Sequence, residues 1–370
     1  MNILLAPDSF KGTLSASEVC DIIESALVKN IKNCTITKLP VADGGEGLCS
    51  SLLSSVGGQF ISAEAQNPFG ERMTAEYVVL NNRTAVIEMA SCAGLPLAGD
   101  RANPLVTTTY GVGMLIADAQ SKGTGRVILG LGGSATNDCG IGMAEALGYK
   151  FFDSNGGRIV TNGGNMIKTE HIFPPYKPLD IKVIAACDVT NPLYGENGAA
   201  YVFAPQKGAD AEAVKKLDDG LVHMSEVIKR DIGIDVSEIP GAGAAGGLGA
   251  GAVAFLKAEL KSGIDIVLDT ANFDKLLKSA DLVITGEGRL DSQSVYGKVV
   301  SGVCRRAKQS GTPVVAVCGC TEDDVDINAL GISKLYVSTK EPKPFEIIKK
   351  TCKDDLYKAA LKIAGELEVL

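Results

Sequence analysis

The chain has 370 residues, 45% of them hydrophobic and 22% charged, with 43 glycines, no tryptophan and a formal net charge of −8. That length exceeds what one growing core serves, so two domains are expected, and the acidic balance argues against nucleic acid or an anionic membrane as partner. No stretch approaches the roughly 18 apolar residues of a membrane span, and the start MNILLAPDSF lacks a basic leader region, so a cytoplasmic protein is expected.

In chain order, Asn2–Ala6 reads as a buried strand, followed by a helix from Ser15 in which Ser15 and Glu18 have capping-box spacing and Val19, Ile22, Ile23, Ala26 and Leu27 form the apolar stripe. Thr35–Pro40 is a second strand, and a short helix begins near Gly47. Gln59–Ala65, Thr74–Leu80 and Ala85–Met89 are short strands separated by NPFG and NNR turns, which suggests antiparallel pairing. A helix near Thr108–Gln120, a strand Arg126–Leu129 and a strand Ile181–Ala186 follow, with a loop-rich tract reaching Gly208. Pro240–Gly251 reads as irregular backbone leading into a helix Ala252–Leu260. Regular alternation then returns: strand Leu282–Thr285, helix Lys298–Lys308, strands Pro313–Val317 and Leu335–Val337, and a closing helix within Lys353–Leu367.

The expected fold is α/β. Residues 1–62 and 279–370 would form a parallel, helix-flanked sheet from both chain ends, residues 63–278 an inserted mixed α/β domain, and a cleft between them the site. The ten cysteines include no C-x-x-C pair, the nearest spacing being Cys318-Gly319-Cys320, and are expected to be buried reduced thiols. The two histidines, His171 and His223, lie outside any Gly-rich or acidic cluster, which argues against Ser-His-Asp chemistry and a multi-His metal site; His223 is expected on a helix surface.

Gly130-Leu131-Gly132-Gly133-Ser134-Ala135 satisfies G-x-G-x-x-A after a strand, with Asp153 at the distance of a ribose-binding acid. A helix opening there would offer N–H groups to an anion, while Thr136, Asn137 and Asp138 suit a transferring phosphoryl group better than a pyrophosphate slot. Phosphate binding, dinucleotide binding and a plain turn all stay open at this segment. No G-x-x-x-x-G-K-[ST] is present, so a P-loop is excluded and any phosphoryl transfer must draw its lysines and carboxylates from separate loops.

Such loops follow the strands. Asp8, Ser9 and Lys11 come after the first; Asp43, Gly44, Gly45 and Glu46 after the second; Asp188 and Asn191 after Ile181–Ala186; Glu287, Arg289 and Asp291 after Leu282–Thr285, with Lys298 opening the next helix. Lys207 adds a loop lysine that reads almost equally as a solvated turn. Singly, each loop also fits a turn with a capping acid. Jointly they fit metal-assisted phosphoryl transfer, in which acids hold magnesium or accept a hydroxyl proton and cations meet the phosphoryl charge.

The stretches APDSFKGTLSA, PVADGGEG, NPFG, TTYGVG, LGGSATNDCGIGMAEALG, ACDVTNPLYGENGAAYVFAPQKGA, GAGAAGGLGAG and TGEGRLDSQSVYGK together resemble the first type of bacterial glycerate kinase, in order and across nearly the whole chain. The resemblance implies ATP- and Mg2+-dependent phosphorylation of D-glycerate, at the 2-hydroxyl or, alternatively, the 3-hydroxyl. It also implies a flavodoxin-like domain joined to a restriction-endonuclease-like one. Within the matching motifs, Asp43, Asp188 and Asp291 are candidates for magnesium or the general base, Glu287 for magnesium, and Lys11, Arg289 and Lys298 for phosphates or the glycerate carboxylate. Asp8, Ser9, Gly44, Gly45, Gly132, Gly133, Ser134, Thr136 and Asn191 complete the expected binding set. A monomer or homodimer is expected. The rival readings are a NAD-dependent dehydrogenase of a small hydroxy acid and a non-catalytic sugar-acid binding protein.

Overall fold

The computed structural model describes residues 1–42, 47–290, 299–322, 325–339, 341 and 343–367. Its strands run β1 Asn2–Pro7, β2 Thr35–Lys38, β3 Gly58–Gln66, β4 Arg72–Leu80, β5 Thr84–Glu88, β6 Arg126–Gly130 and β7 Lys150–Phe152. They continue as β8 His171–Phe173, β9 Lys182–Ala186, β10 Glu259–Lys261, β11 Leu282–Leu290, β12 Val314–Thr321 and β13 Lys334–Val337. The chain divides into two compact units, one of Met1–Asp43, Ser50–Val56 and Ile264–Leu370, the other of Gly44–Cys49 and Gly57–Gly263.

The first unit carries a five-stranded sheet in the order β13-β12-β11-β1-β2, every neighbouring pair parallel. Numbered within the unit this is the doubly wound order 2-1-3-4-5, whose switch point lies between β1 and β11. The central strands are continuous apolar runs because both faces are covered. Ile3, Leu5, Ile284, Val315 and Val317 pack with the helices Ala16–Asn30 and Phe345–Leu367. The first helix starts as its spacing requires: Glu18 N–H donates to Ser15 Oγ at 3.2 Å, and Ser15 N–H to the Glu18 carboxylate at 3.0 Å.

The second unit carries a six-stranded mixed sheet, β10-β9-β6-β5-β4-β3. β3 and β4 form an antiparallel ribbon from Gly58↔Leu80 to Gln66↔Arg72. β5 runs antiparallel to β4 but parallel to β6, so the expected antiparallel group ends at β5, where the connection through the helix Tyr110–Ser121 returns the chain in the same direction. One apolar cluster packs that helix on β5, β6 and β9; a second joins the helix Ala211–Asp231 to Phe151, Phe255 and Ile172.

Three local expectations are corrected, at Leu260, at Glu287 and Arg289, and at His223. The helix placed at Ala252–Leu260 ends at Leu256, and Leu260 lies in β10, because Lys257 turns left-handed at φ 53° and ends the helical ladder. β11 runs on to Leu290, so Glu287 and Arg289 are strand residues opposite Cys318 and Cys320 of β12 rather than loop residues. Asp153 sits in the turn between β7 and β8, its Oδ1 accepting from Asn155 N–H at 2.9 Å and Gly157 N–H at 2.8 Å. That carboxylate shapes a separate two-stranded ribbon, outside the sheet that holds β6. His223 is half-buried, its Nε2 2.7 Å from Thr169 O. Among the described residues no helix is long and apolar enough to cross a membrane.

Candidate active site

In the second unit the parallel strands β5, β6 and β9 end side by side, at Glu88, Gly130 and Ala186. Leu131 N–H extends the pairing to Ala186 O at 3.2 Å, and the chain then turns into the loop Gly132–Cys139. Gly133 bends it with a left-handed φ of 72°. Leu95 N–H bonds Gly133 O, Ala135 N–H bonds Ala93 O, and Thr107 Oγ1 donates to Ala135 O, each at 2.9 Å. The loop is therefore held along its length. Gly133 is exposed and Gly132 half-buried, so their backbone is what this loop presents to the surface.

Behind that surface the loop closes on a lysine. Lys207 is 1% exposed, and its ammonium donates to Ser134 Oγ and to Thr136 O, both at 2.7 Å. Burial pushes the Lys207 pKa down to about 7, against the opposing pull of the Asp138 charge. Charge-assisted bonds of this kind are worth roughly 1.5–3 kcal/mol each, against the cost of desolvating the ammonium. Ser134, expected as a donor, here accepts from Lys207 through one lone pair of its Oγ. Thr136 and Asn137 are fully buried, and neither the Thr136 hydroxyl nor the Asn137 amide has a hydrogen-bond partner among the described residues.

Asp138 turns inward. Its Oδ2 accepts from Thr109 N–H and Thr109 Oγ1, both at 2.8 Å, and from Gly142 N–H at 3.3 Å, while Oδ1 accepts from Gly140 N–H at 3.1 Å. Burial raises its pKa and these donors oppose the rise. No helix opens at Ser134: the next one is Ile141–Ala146, where the carboxylate of Asp138 accepts from Gly140 N–H and Gly142 N–H and its main-chain O accepts from Ile141 N–H. With Asp153 in the turn after β7, outside the sheet of β6, the G-x-G-x-x-A loop neither opens directly into a helix nor has its spaced acid at the end of a neighbouring parallel strand, as a dinucleotide fingerprint requires.

The Gly-rich stretch read as irregular backbone closes the other side of the loop. Ala245, Gly246 and Gly247 are left-handed in succession, and a Cβ on Gly246 would stand 2.1 Å from Thr136 O. Only glycine permits that approach. Asn191 ties this corner to the end of β9: its O accepts from Gly243 N–H at 3.1 Å, and its Nδ2 donates to Asn197 O at 2.8 Å. Asp188, exposed at the same edge, accepts from Gly263 N–H at 2.9 Å and Ser262 Oγ at 3.1 Å.

In the first unit, a second group of predicted residues gathers at the carboxyl ends of β1 and β11. Asp8 N–H continues the β1–β11 ladder to Gly286 O at 2.8 Å, and Ser9 N–H donates to Asp8 Oδ1 at 2.6 Å. Asp8, Ser9, Lys11, Glu287 and Arg289 all line one cavity of about 820 Å3. Arg289 also pairs with Glu322 at 2.5 Å. Asp43, Gly44, Gly45, Asp291 and Lys298 lie outside the described residues. Of the four expected metal ligands this leaves Asp188 and Glu287, one in each unit. Among the described residues no three His, Cys, Asp or Glu side chains assemble a metal site, so these residues do not by themselves make up a magnesium centre.

Lys207 is the buried cation behind the second-unit loop, and the sequence marks it only weakly. Its signal is position: a lysine between Pro205 and the left-handed Gly208, directly after the apolar turn Ala199–Phe203.

Residues 3–368 match the model of the glycerate kinase family. The chain belongs to that family. Among its relatives, glycerate kinase of Bacillus cereus is 43% identical over 99% of this chain and 97% of its own length. Glycerate 2-kinase of Escherichia coli K12 is 42% identical over 100% and 98%. A crystal structure assigned to glycerate kinase 2 of Salmonella typhimurium LT2 superposes with a TM-score of 0.90 at 38% identity, covering 100% of this chain and 98% of that one. Glycerate kinases are phosphotransferases, and this family member is an enzyme of that class.

Proposed function

We propose that the chain transfers the γ-phosphoryl group of ATP to the 2-hydroxyl of D-glycerate, releasing ADP and 2-phosphoglycerate. The observation that carries the reading is the loop Gly132–Asp138, held at the carboxyl ends of parallel strands by the buried Lys207. The Escherichia coli relative, named for the 2-position, supports the choice of hydroxyl.

Phosphoryl transfer passes through a loose transition state, so positioning and electrostatics do most of the catalysis. In this reading the amides of the half-buried Gly132 and the exposed Gly133 meet an anionic group of the acceptor or the transferring phosphoryl. Lys207 keeps Ser134 and Thr136 in register behind them. Asp188, at the neighbouring strand end, accepts the proton of the attacking hydroxyl. Lys11 and Arg289, with Asp8 and Ser9, serve the phosphates. Roles for Asp43, Gly44, Gly45, Asp291 and Lys298 rest on the motif resemblance. Mg2+ would come with the nucleotide, held chiefly by phosphate and water oxygens. We also class the first unit as flavodoxin-like, on its strand order, and the second as restriction-endonuclease-like.

The test is ADP release with and without D-glycerate. Wild-type protein with magnesium and ATP should release ADP only when D-glycerate is present, and Asp188→Asn should slow that release by about 10²–10⁴-fold. Release that ignores D-glycerate would reject the acceptor, and full activity in Asp188→Asn would remove it from the mechanism.

A further inference from the structure

The cavity of the first unit is too large for the acceptor. Its volume of about 820 Å3 lies in the range of drug- and cofactor-sized sites, whereas a three-carbon acid would fill a small part of it. Its walls are of two kinds. Val337, Phe345 and Ile348 make an apolar side, and Lys11 and Arg289 stand on a charged side. The cavity opens at the carboxyl ends of β1, β11, β12 and β13 and spans the β1–β11 switch point, where ligands of doubly wound sheets bind.

We propose that this cavity is the nucleotide site, with the purine against Val337, Phe345 and Ile348 and the phosphates at Lys11 and Arg289. The assignment rests on the reading of the chain as an ATP-dependent kinase. Phe345 is 49% exposed, large enough and open enough to seat a base. Its ring also touches the phosphate-side loop: a Cβ on Gly12 would lie 2.8 Å from Phe345 Cζ. The two walls therefore meet within one residue of Lys11. Ser338 and Thr339 add hydroxyls suited to the ribose or the base edge. Asp8 and Glu287 place negative charge in the same cavity, which favours phosphates that arrive with their own cation over a bare polyanion.

Cys320 supplies the measurement. It is the exposed one among the ten cysteines, and it lines this cavity. The rate of N-ethylmaleimide addition to Cys320 would be followed by peptide mass spectrometry, in the intact protein, alone and with magnesium AMP-PNP or D-glycerate. In parallel, AMP-PNP binding would be measured by calorimetry. The expected result is at least tenfold protection by AMP-PNP and none by D-glycerate. Phe345→Ala should raise KM for ATP roughly tenfold while leaving KM for D-glycerate unchanged. Calorimetric binding of AMP-PNP without protection of Cys320, or protection by D-glycerate alone, would overturn the assignment while sparing the kinase reading. No binding of AMP-PNP at all would overturn both.

Discussion

Lys207 holds a titratable group where water does not reach it, and that makes its role measurable. Its ordinary pKa is 10.5 and burial brings it to about 7, so between those values the unfolded chain binds more protons than the folded one. Stability from this residue therefore rises with pH across that window: the full penalty is present below pH 7 and is gone above pH 10.5. Wild-type protein should gain stability relative to Lys207→Met on going from about pH 7 to about pH 9. Urea midpoints of the two proteins check this, and a pH-independent difference would contradict the buried ammonium. The same substitution releases the Ser134 and Thr136 contacts and should lower kcat/KM by roughly 100-fold through misplacement of the loop. At this scale the sequence yields identities but not directions. The polar run Ser134–Asp138 announces a site, yet nothing in it tells that Asp138 points to Thr109 and the next helix, while Lys207 arrives from residues far along the chain. Burial is decided by packing between distant segments, which a local pattern does not contain.

The corner Ala245–Gly247 shows how an element without side-chain chemistry shapes a site. A methyl on Gly246 meets Thr136 O at 2.1 Å and strains a φ of 70°; a methyl on Gly233, at φ 81°, meets nothing within 4 Å. Gly246→Ala should cost about 2–4 kcal/mol and most of the activity, whereas Gly233→Ala should cost about 1 kcal/mol and leave activity intact. Equal losses in thermal unfolding and turnover would mean that the contact with Thr136 is unimportant. Elements with a strong periodic signal are legible: the runs Ile3–Ala6 and Leu282–Ile284 form the parallel core, and the Ser15 box starts its helix. The far end of β11 is not, because Gly286 and Gly288 read as loop; pairing with β12 keeps the strand extended and carries Glu287 and Arg289 into the cavity wall. Pairing partners override local propensity in strands.

For the molecule as a whole, the return of strand–helix alternation after Asp281 is what the sequence offers about the parallel sheet, and β11, β12 and β13 do join β1 and β2. The middle of the chain is harder, since its mixed sheet inserts the parallel strands β6, β9 and β10 among elements of widely different sequence separation. The chemistry is more legible than the geometry because the acid- and glycine-bearing motifs follow strand ends, and strand ends are where α/β sheets bind ligands. The central claim is that this family member phosphorylates D-glycerate at its 2-hydroxyl. Phosphorus NMR of protein incubated with magnesium, ATP and D-glycerate tests it most directly. A 2-phosphoglycerate resonance that requires all three components is the predicted result; a 3-phosphoglycerate resonance, or no phosphorylated product, would contradict it.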